Sequence, residues 1–367
     1  MLLTACAGPD GGIIADAAPA PAAAHQAKAS AARAAKTSAA RPAKASIAKA
    51  EARAPAGASI TTASIDKTKA VTVVDLPYRP AVGSRWNATS ELRETRTVAG
   101  RVTETLIARD RGEYRVAIEL EKGYRIAYTL HDGSIEGNTP LADLMRPLVE
   151  SMKGQSFAYE TDEAGIPVRV LDVDRWKALA VKAIDTVAQS KPEFSSVPQL
   201  QQFVDGIRAR YEAATPESGV ELFLEPLARY TMLQGLKNLT VGEERSYDDE
   251  VVNPLTGTTM RAKGFIKVAS VDRASGLATI QWRQTIEPED LNKAVRDFIK
   301  GFMPNDGEDS QKFLEAMAKL KIDHTDQASY KVALADGVVR RMDRTTLVKT
   351  QGSEKKTVTV MTMTPAR

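Results

Sequence analysis

The chain has 367 residues, with 50 basic and 47 acidic side chains and a formal net charge of +3. That near balance argues against a protein devoted to nucleic acid, and no stretch approaches the roughly 20 consecutive apolar residues of a membrane-spanning helix. A single cysteine, Cys6, excludes an internal disulfide and a cysteine-based metal site.

The first residues include Leu3-Thr4-Ala5-Cys6, an apolar residue and two small ones before a cysteine. This is similar to the bacterial lipobox, whose cysteine receives diacylglycerol. A signal peptide needs a basic start and an apolar stretch of about 7–15 residues. Only five residues precede Cys6, so the expectation is a translation start upstream or a shortened chain. A chance cysteine in a cytosolic protein is the alternative. Ala7, where an Asp would favour inner-membrane retention, points toward the periplasmic face of the outer membrane. Residues 1–6 thus read as a remnant signal peptide and lipobox. Residues 7–70 are Ala-rich with Lys, Arg, Pro, Ser and Thr and lack aromatic residues, so they read as a disordered tether that buries too little to offset ordering entropy.

The body is expected over 71–367. Trp86 to Leu92 alternates apolar or small residues with polar ones. Tyr114, Val116, Ile118 and Leu120 share a face, and Tyr124, Ile126, Tyr128 and Leu130 share another before His131-Asp132-Gly133, where Asp-Gly favours a hairpin turn. Leu141, Leu144, Met145, Leu148 and Met152 fall at helix spacing, with Pro147 expected to split or kink the segment. Phe157 and Tyr159 lead through Asp162-Glu163-Ala164-Gly165 into Ile166, Val168 and Val170, a further hairpin. A helical block spans 174–236. Its stripes run through Trp176, Leu179, Ala183 and Ile184, then through Phe203, Val204, Ile207 and Tyr211. A third, more apolar segment from Val220 to Leu236 holds Pro226.

Strands return after Val241-Gly242, with turns at Asn253 to Gly257 and at Asp272 to Gly276. Ala278, Ile280, Trp282 and Ile286 share a face. Glu287-Pro288-Glu289-Asp290 starts a helix with the stripe Leu291, Ala294, Val295, Phe298, Ile299 and Phe302. A short helix carries Phe313, Met317 and Leu320. Tyr330, Val332 and Leu334 precede an Asp336-Gly337 turn, a strand from Val338 and a final strand, Thr357 to Thr364. The plan of 71–190 echoes that of 238–367, each half opening on Val-Gly at Val82-Gly83 and Val241-Gly242. Two sheet layers, or two halves of one strongly curved sheet, both satisfy this echo.

Catalytic signatures are absent. His25, His131 and His324 have no ligand-spaced partner, and there is no G-x-S-x-G, P-loop or G-x-G-x-x-G. Carboxylate runs such as Asp248-Asp249-Glu250 read as solvated faces. The expectation is a protein that is not an enzyme and carries no metal or cofactor. A hydrolase without a local motif is the alternative. The more informative residues are apolar: Trp86, Tyr124, Tyr128, Trp282 and Met361 on strands, and Trp176, Phe203, Phe298 and Phe302 on helix stripes. They are either ordinary core or, for Trp86, Tyr124, Tyr128, Trp282 and Phe298, the lining of a pocket for a lipid.

Leu3-Thr4-Ala5-Cys6, Val82-Gly83-Ser84-Arg85-Trp86, Gly154-Gln155-Ser156-Phe157 before the turn at Asp162 to Gly165, and Leu334-Ala335-Asp336-Gly337-Val338 together carry a resemblance. Over most of Val71 to Arg367 the chain resembles bacterial lipoproteins of unknown function that share a half-barrel, or β-clamp, with the lipoprotein-carrier and mycobacterial lipoprotein group. The resemblance implies a curved antiparallel sheet wrapping helices and able to enclose an apolar cavity for acyl chains. The helical block 174–236 is an addition to that pattern. The expected fold class is α+β. The expected role is a membrane-tethered periplasmic lipoprotein, held through Cys6, that binds a lipid, a lipoprotein or another apolar envelope component. A structural lipoprotein with an envelope protein partner is the alternative.

Overall fold

A computed structural model describes residues 72–190, 198–252, 259–300 and 321–366, apart from some side chains. Cys6, the 7–70 tether, the turn from Asn253 to Gly257, Phe302 and the short helix of Phe313 lie outside the described residues, as do the side chains of Phe203 and Phe298.

The body is built around an open, curved antiparallel sheet of eleven strands. The first meander is β2 (Arg85–Val98), β3 (Arg101–Glu119) and β4 (Tyr124–Gly137), then helix α1 (Pro140–Met152), then β5 (Ser156–Thr161) and β6 (Pro167–Val170). Helices α2 (Val173–Ser190), α3 (Pro198–Glu212), α4 (Gly219–Phe223) and α5 (Glu225–Thr231) follow. The second meander is β8 (Glu244–Val252), β9 (Thr259–Asp272) and β10 (Leu277–Ile286), helix α6 (Pro288–Lys300), then β11 (Asp323–Ala333), β12 (Val339–Thr350) and β13 (Ser353–Pro365). Strand order is β6-β5-β4-β3-β2-β13-β12-β11-β10-β9-β8, so β2 and β13 pair at the centre and join the two meanders. Two short strands, β1 (Val73–Val74) and β7 (Leu239–Thr240), pair separately. The curved antiparallel sheet expected from the sequence is present, and sheet outweighs helix, so the fold is more sheet-rich than a balanced α+β protein.

Alternation explains the two faces. In β2, Trp86, Ala88, Ser90 and Leu92 point to the helix-covered inner face, while Arg85, Asn87 and Thr89 point outward. The β2–β3 hairpin turns over Ala99-Gly100, both at positive φ (48° and 77°), as a tight turn matched to strand twist requires.

Two local expectations fail, both at β-bulges. Asp132-Gly133 is no hairpin tip, because β4 runs through it to Gly137. The register passes from Gly112↔Leu130 to Arg111↔Asp132, and the extra residue His131 shifts the phase so that Gly133 and Ile135 become the inward positions. A second bulge pairs Val116 with Ile126 and Ile118 with Arg125, which turns Ile118 outward at 41% exposure. Two helix expectations also change. Helix α1 continues through Pro147, started by Pro140 and by the Thr139 hydroxyl accepting from Ala142 N at 3.1 Å. The segment from Val220 to Leu236 breaks into α4 and α5 at Leu224, with Pro226 in the first turn of α5.

Each meander enters its first strand through the same turn. Ser84 N donates to Ala81 O at 3.0 Å and Glu243 N to Thr240 O at 3.2 Å. Gly83 and Gly242, at φ +84° and +87°, then donate to Val116 O and Val268 O on the neighbouring strands at 2.9 and 2.8 Å. The left-handed backbone at that position explains the glycine of each Val-Gly pair.

The segment before β2 straps the structure together. Leu76 is fully buried, donates to Leu236 O at 2.8 Å and accepts from Gly235 N at 2.7 Å. Arg79 N donates to Asp336 O at 2.9 Å in the β11–β12 turn. Gly337 in that turn lies so close that a Cβ would stand 2.0 Å from Pro77 O. Among the described residues no helix is long and apolar enough to cross a membrane.

Candidate functional site

The inner face carries an aromatic row built by register. Trp86, Tyr114, Tyr128 and Phe157 are successive cross-strand partners on β2, β3, β4 and β5. The Tyr114 and Tyr128 ring centroids are 4.6 Å apart. Trp176 from α2 stacks on Phe157 at 4.4 Å, and Phe223 of α4 packs on Trp176 at 5.3 Å. Cross-strand aromatic pairs of this kind add stability beyond their buried area. Burial, together with the nearby Asp110 carboxyl, pushes the Tyr128 phenol well above its ordinary pKa; burial does the same for Tyr114. Both rings stay neutral.

The sequence-predicted residues therefore separate. Trp86 and Tyr128 share the row. Tyr124 sits at its margin, edge-on to Tyr78 of the strap at 5.4 Å. Met361 of β13 is buried on the same face. Trp282 lies in the second meander, 2% exposed, and its Nε1 donates to the Tyr247 hydroxyl at 2.6 Å. Burial pushes Tyr247 up to about 12 despite that donor. The Tyr247 ring lies against its cross-strand partner Gly264, where a Cβ would stand 2.1 Å from ring carbon Cζ. Gly264→Ala is expected to cost about 1–3 kcal/mol through overpacking. Denaturant unfolding measures it, and unchanged stability would show that the ring can move aside.

Between the aromatic row and a second apolar cluster under α6 runs a buried polar ladder. That second cluster includes Met260, Ile286, Leu291, Val295 and Val348. Gln284, Asp326, Thr346, Thr357 and Glu94 are successive cross-strand partners from β10 to β2. The carboxylates are matched by cations from adjacent positions. Arg344 Nη2 and Nε donate to Asp326 at 2.6 and 2.9 Å, and Thr346 Oγ1 donates at 3.2 Å. Lys355 Nζ stands 3.0 Å from Glu94. At the other end, Gln284 donates to Asp249 at 2.8 Å. Burial alone would raise the Asp326 pKa. The Arg344 guanidinium, helped by the charges of Arg229 and His324, outweighs burial and holds the carboxyl below its ordinary range.

Sequence reading missed this ladder. Its one visible signal is that His324 and Asp326 continue the inward phase of Ala328, Tyr330 and Val332 along β11. Among the described residues no group of three or more His, Cys, Asp and Glu side chains could hold a metal ion.

No family model and no curated protein matches the chain. Among solved structures, lipovitellin, in a study of its lipid–protein interactions, is similar over 77% of this chain and 25% of its own, with TM-score 0.38 and 6% identity. The chain thus spans about a quarter of the lipovitellin chain. An outer membrane channel from Pseudomonas putida F1 is similar over 82% of this chain and 100% of its own, with TM-score 0.15 and 6% identity. Both likenesses are too distant to carry an argument about function.

Proposed function

We propose that the chain is a non-enzymatic, membrane-tethered lipoprotein of the bacterial cell envelope that binds an amphiphile, a lipid or an acylated protein, on the inner face of a half-barrel. The observation that carries this reading is the pairing on one sheet face of an aromatic row with a band of matched charges and hydroxyls. Binding requires the helix cover to move aside, so that an acyl chain replaces Trp176 and Phe223 against the Trp86–Phe157 row, with its polar end toward the Asp326–Arg344 band. The cover is the helix set α1, α2, α4 and α5, whose Met145, Trp176, Phe223 and Leu227 side chains join the same core. Leu3-Thr4-Ala5-Cys6 supports an acylated cysteine on the periplasmic face of the outer membrane, where two or three acyl chains give firm anchoring. The shared entry turns of the meanders support reading them as related halves of that half-barrel.

Two chains, wild type and Cys6→Ser, expressed in the native host from the protein's own gene, test the reading. The wild-type chain should take up a palmitate analogue and sediment with membranes. The Cys6→Ser chain should do neither, and when purified without detergent it should release acyl lipid to organic extraction and mass spectrometry. Labelling that survives Cys6→Ser sinks the anchor, and a lipid-free extract sinks the ligand.

An envelope-protein partner is the second reading. The observation favouring it is that β8, nine residues long, ends the sheet and presents an edge to which another strand can add.

A further inference from the structure

The outer face of the second meander holds a groove of about 410 Å³ that runs across β8 to β12. That volume falls in the range of small-ligand sites, about 300–1,000 Å³. Four strand spacings of about 4.8 Å make it about 19 Å long. Its floor is formed by Gln281, Gln327, Ser329 and Thr345, polar side chains on the central strands β10, β11 and β12. On one bank Arg283 lies over the Phe265 ring at 4.2 Å and donates to Glu244 at 3.0 Å. On the other, Asp343 accepts two hydrogen bonds from Arg341 at 2.6 and 2.7 Å. Ion pairs that fix both banks leave the floor amides and hydroxyls and the Lys267 ammonium as the groups with hydrogen bonds to offer. Neither Gln281 nor Gln327 makes a side-chain hydrogen bond among the described residues.

The chemistry of the lining selects the ligand class. Glu244 is paired with Arg283 and Asp343 with Arg341, which leaves the Lys267 ammonium as the one charge of the lining without an ion pair among the described residues, too little to favour a phosphate-rich chain and nothing to favour a polycationic one. A floor of amides and hydroxyls does not suit an acyl chain. Strands β9 to β12 are paired on both sides, so the floor offers no main-chain groups to an extended peptide. What remains is the planar amides of Gln281 and Gln327, the hydroxyls of Ser329 and Thr345 and the Lys267 ammonium. These can donate to and accept from vicinal hydroxyls, beside the Phe265 ring. We infer that this groove is a binding site for a neutral, hydroxyl-rich oligosaccharide laid across the strands. The inference does not depend on the inner face or on the anchor.

Calorimetric titration of the full chain with cellohexaose, maltohexaose and an N-acetylglucosamine hexamer tests it. At least one should bind saturably at millimolar affinity or better. The double substitution Gln281→Ala/Gln327→Ala should weaken it about tenfold. Ser329→Trp, which fills the floor, should abolish it with the melting temperature unchanged. If Ser329→Trp does not fold, the double substitution decides, because it alters only exposed amides. Absence of saturable binding to all three sugars overturns the site. So does binding that ignores both variants, or binding seen only for an anionic oligosaccharide or a peptide.

Discussion

Asp326→Ala is expected to destabilise the body by about 3–5 kcal/mol, because it leaves the Arg344 guanidinium buried without its counter-charge. The two side chains are only 2% and 9% exposed, so solvent screens neither. The loss should be larger than for any surface ion pair of this chain, for instance Arg283–Glu244, where both partners are about half exposed and the expected worth is about 0–1 kcal/mol. Replacing both partners together, Asp326→Leu with Arg344→Met, should recover most of the loss, since the pair's desolvation cost leaves with its attraction. The same carboxyl predicts a pH dependence. Its folded pKa lies below its unfolded value of about 3.9, so its contribution is fully present above about pH 4 and is lost as pH falls through the lower folded value. Denaturant unfolding from neutral pH down to acid should show that loss in the wild type and not in the double variant. An Asp326→Ala protein within 1 kcal/mol of wild type would mean that water reaches the ladder.

Leu76→Ala should cost about 2–5 kcal/mol, the range for emptying a fully buried leucine site. It should also have an effect that a core substitution in the sheet lacks. Leu76 clamps the strap from Val73 to Arg79, whose backbone bonds reach both the loop after α5 and the β11–β12 turn. Loosening it should open the Tyr78–Arg79 bond, whose tyrosine is partly buried in the folded chain, to chymotrypsin before the sheet melts. Limited proteolysis set against thermal unfolding separates the two events. Cleavage that appears only at the global transition would show that the strap has no local opening of its own.

The sequence revealed most where one face alone decides burial. Period two marked β2, β10 and β11 over the stretches where their inward residues are apolar or small, as at Trp86 and Ala88, at Ala278, Ile280 and Trp282, and at Ala328, Tyr330 and Val332, and turn residues placed the β5–β6 and β11–β12 hairpins. Reading failed where one inserted residue flips the phase, at His131 and next to Ile118. A bulge is set by the register of the partner strand, which local sequence does not contain. Asp-Gly misled at Asp132 because a bulge opposite β3, not a turn, takes up that pair and β4 runs on to Gly137, whereas the I′-like tip between β2 and β3 is Ala99-Gly100. The site was half visible. The aromatic residues were found as a list, but the row uniting Trp86, Tyr114, Tyr128 and Phe157 depends on four strands in register. The polar ladder was invisible for the same reason, since Glu94 and its neighbour Thr357 are 263 residues apart.

That separation shapes how the molecule is assembled. The seam between β2 and β13 joins two pieces that can each zip up from neighbouring hairpins, and it closes a loop of almost the whole body, the slowest kind of contact to make. Until it closes, each piece presents one long raw border, and the matching border on a second molecule is chemically identical to the right one. Crowded chains that fold together should therefore exchange halves across the seam and form reciprocal dimers, whereas dilute chains close on themselves.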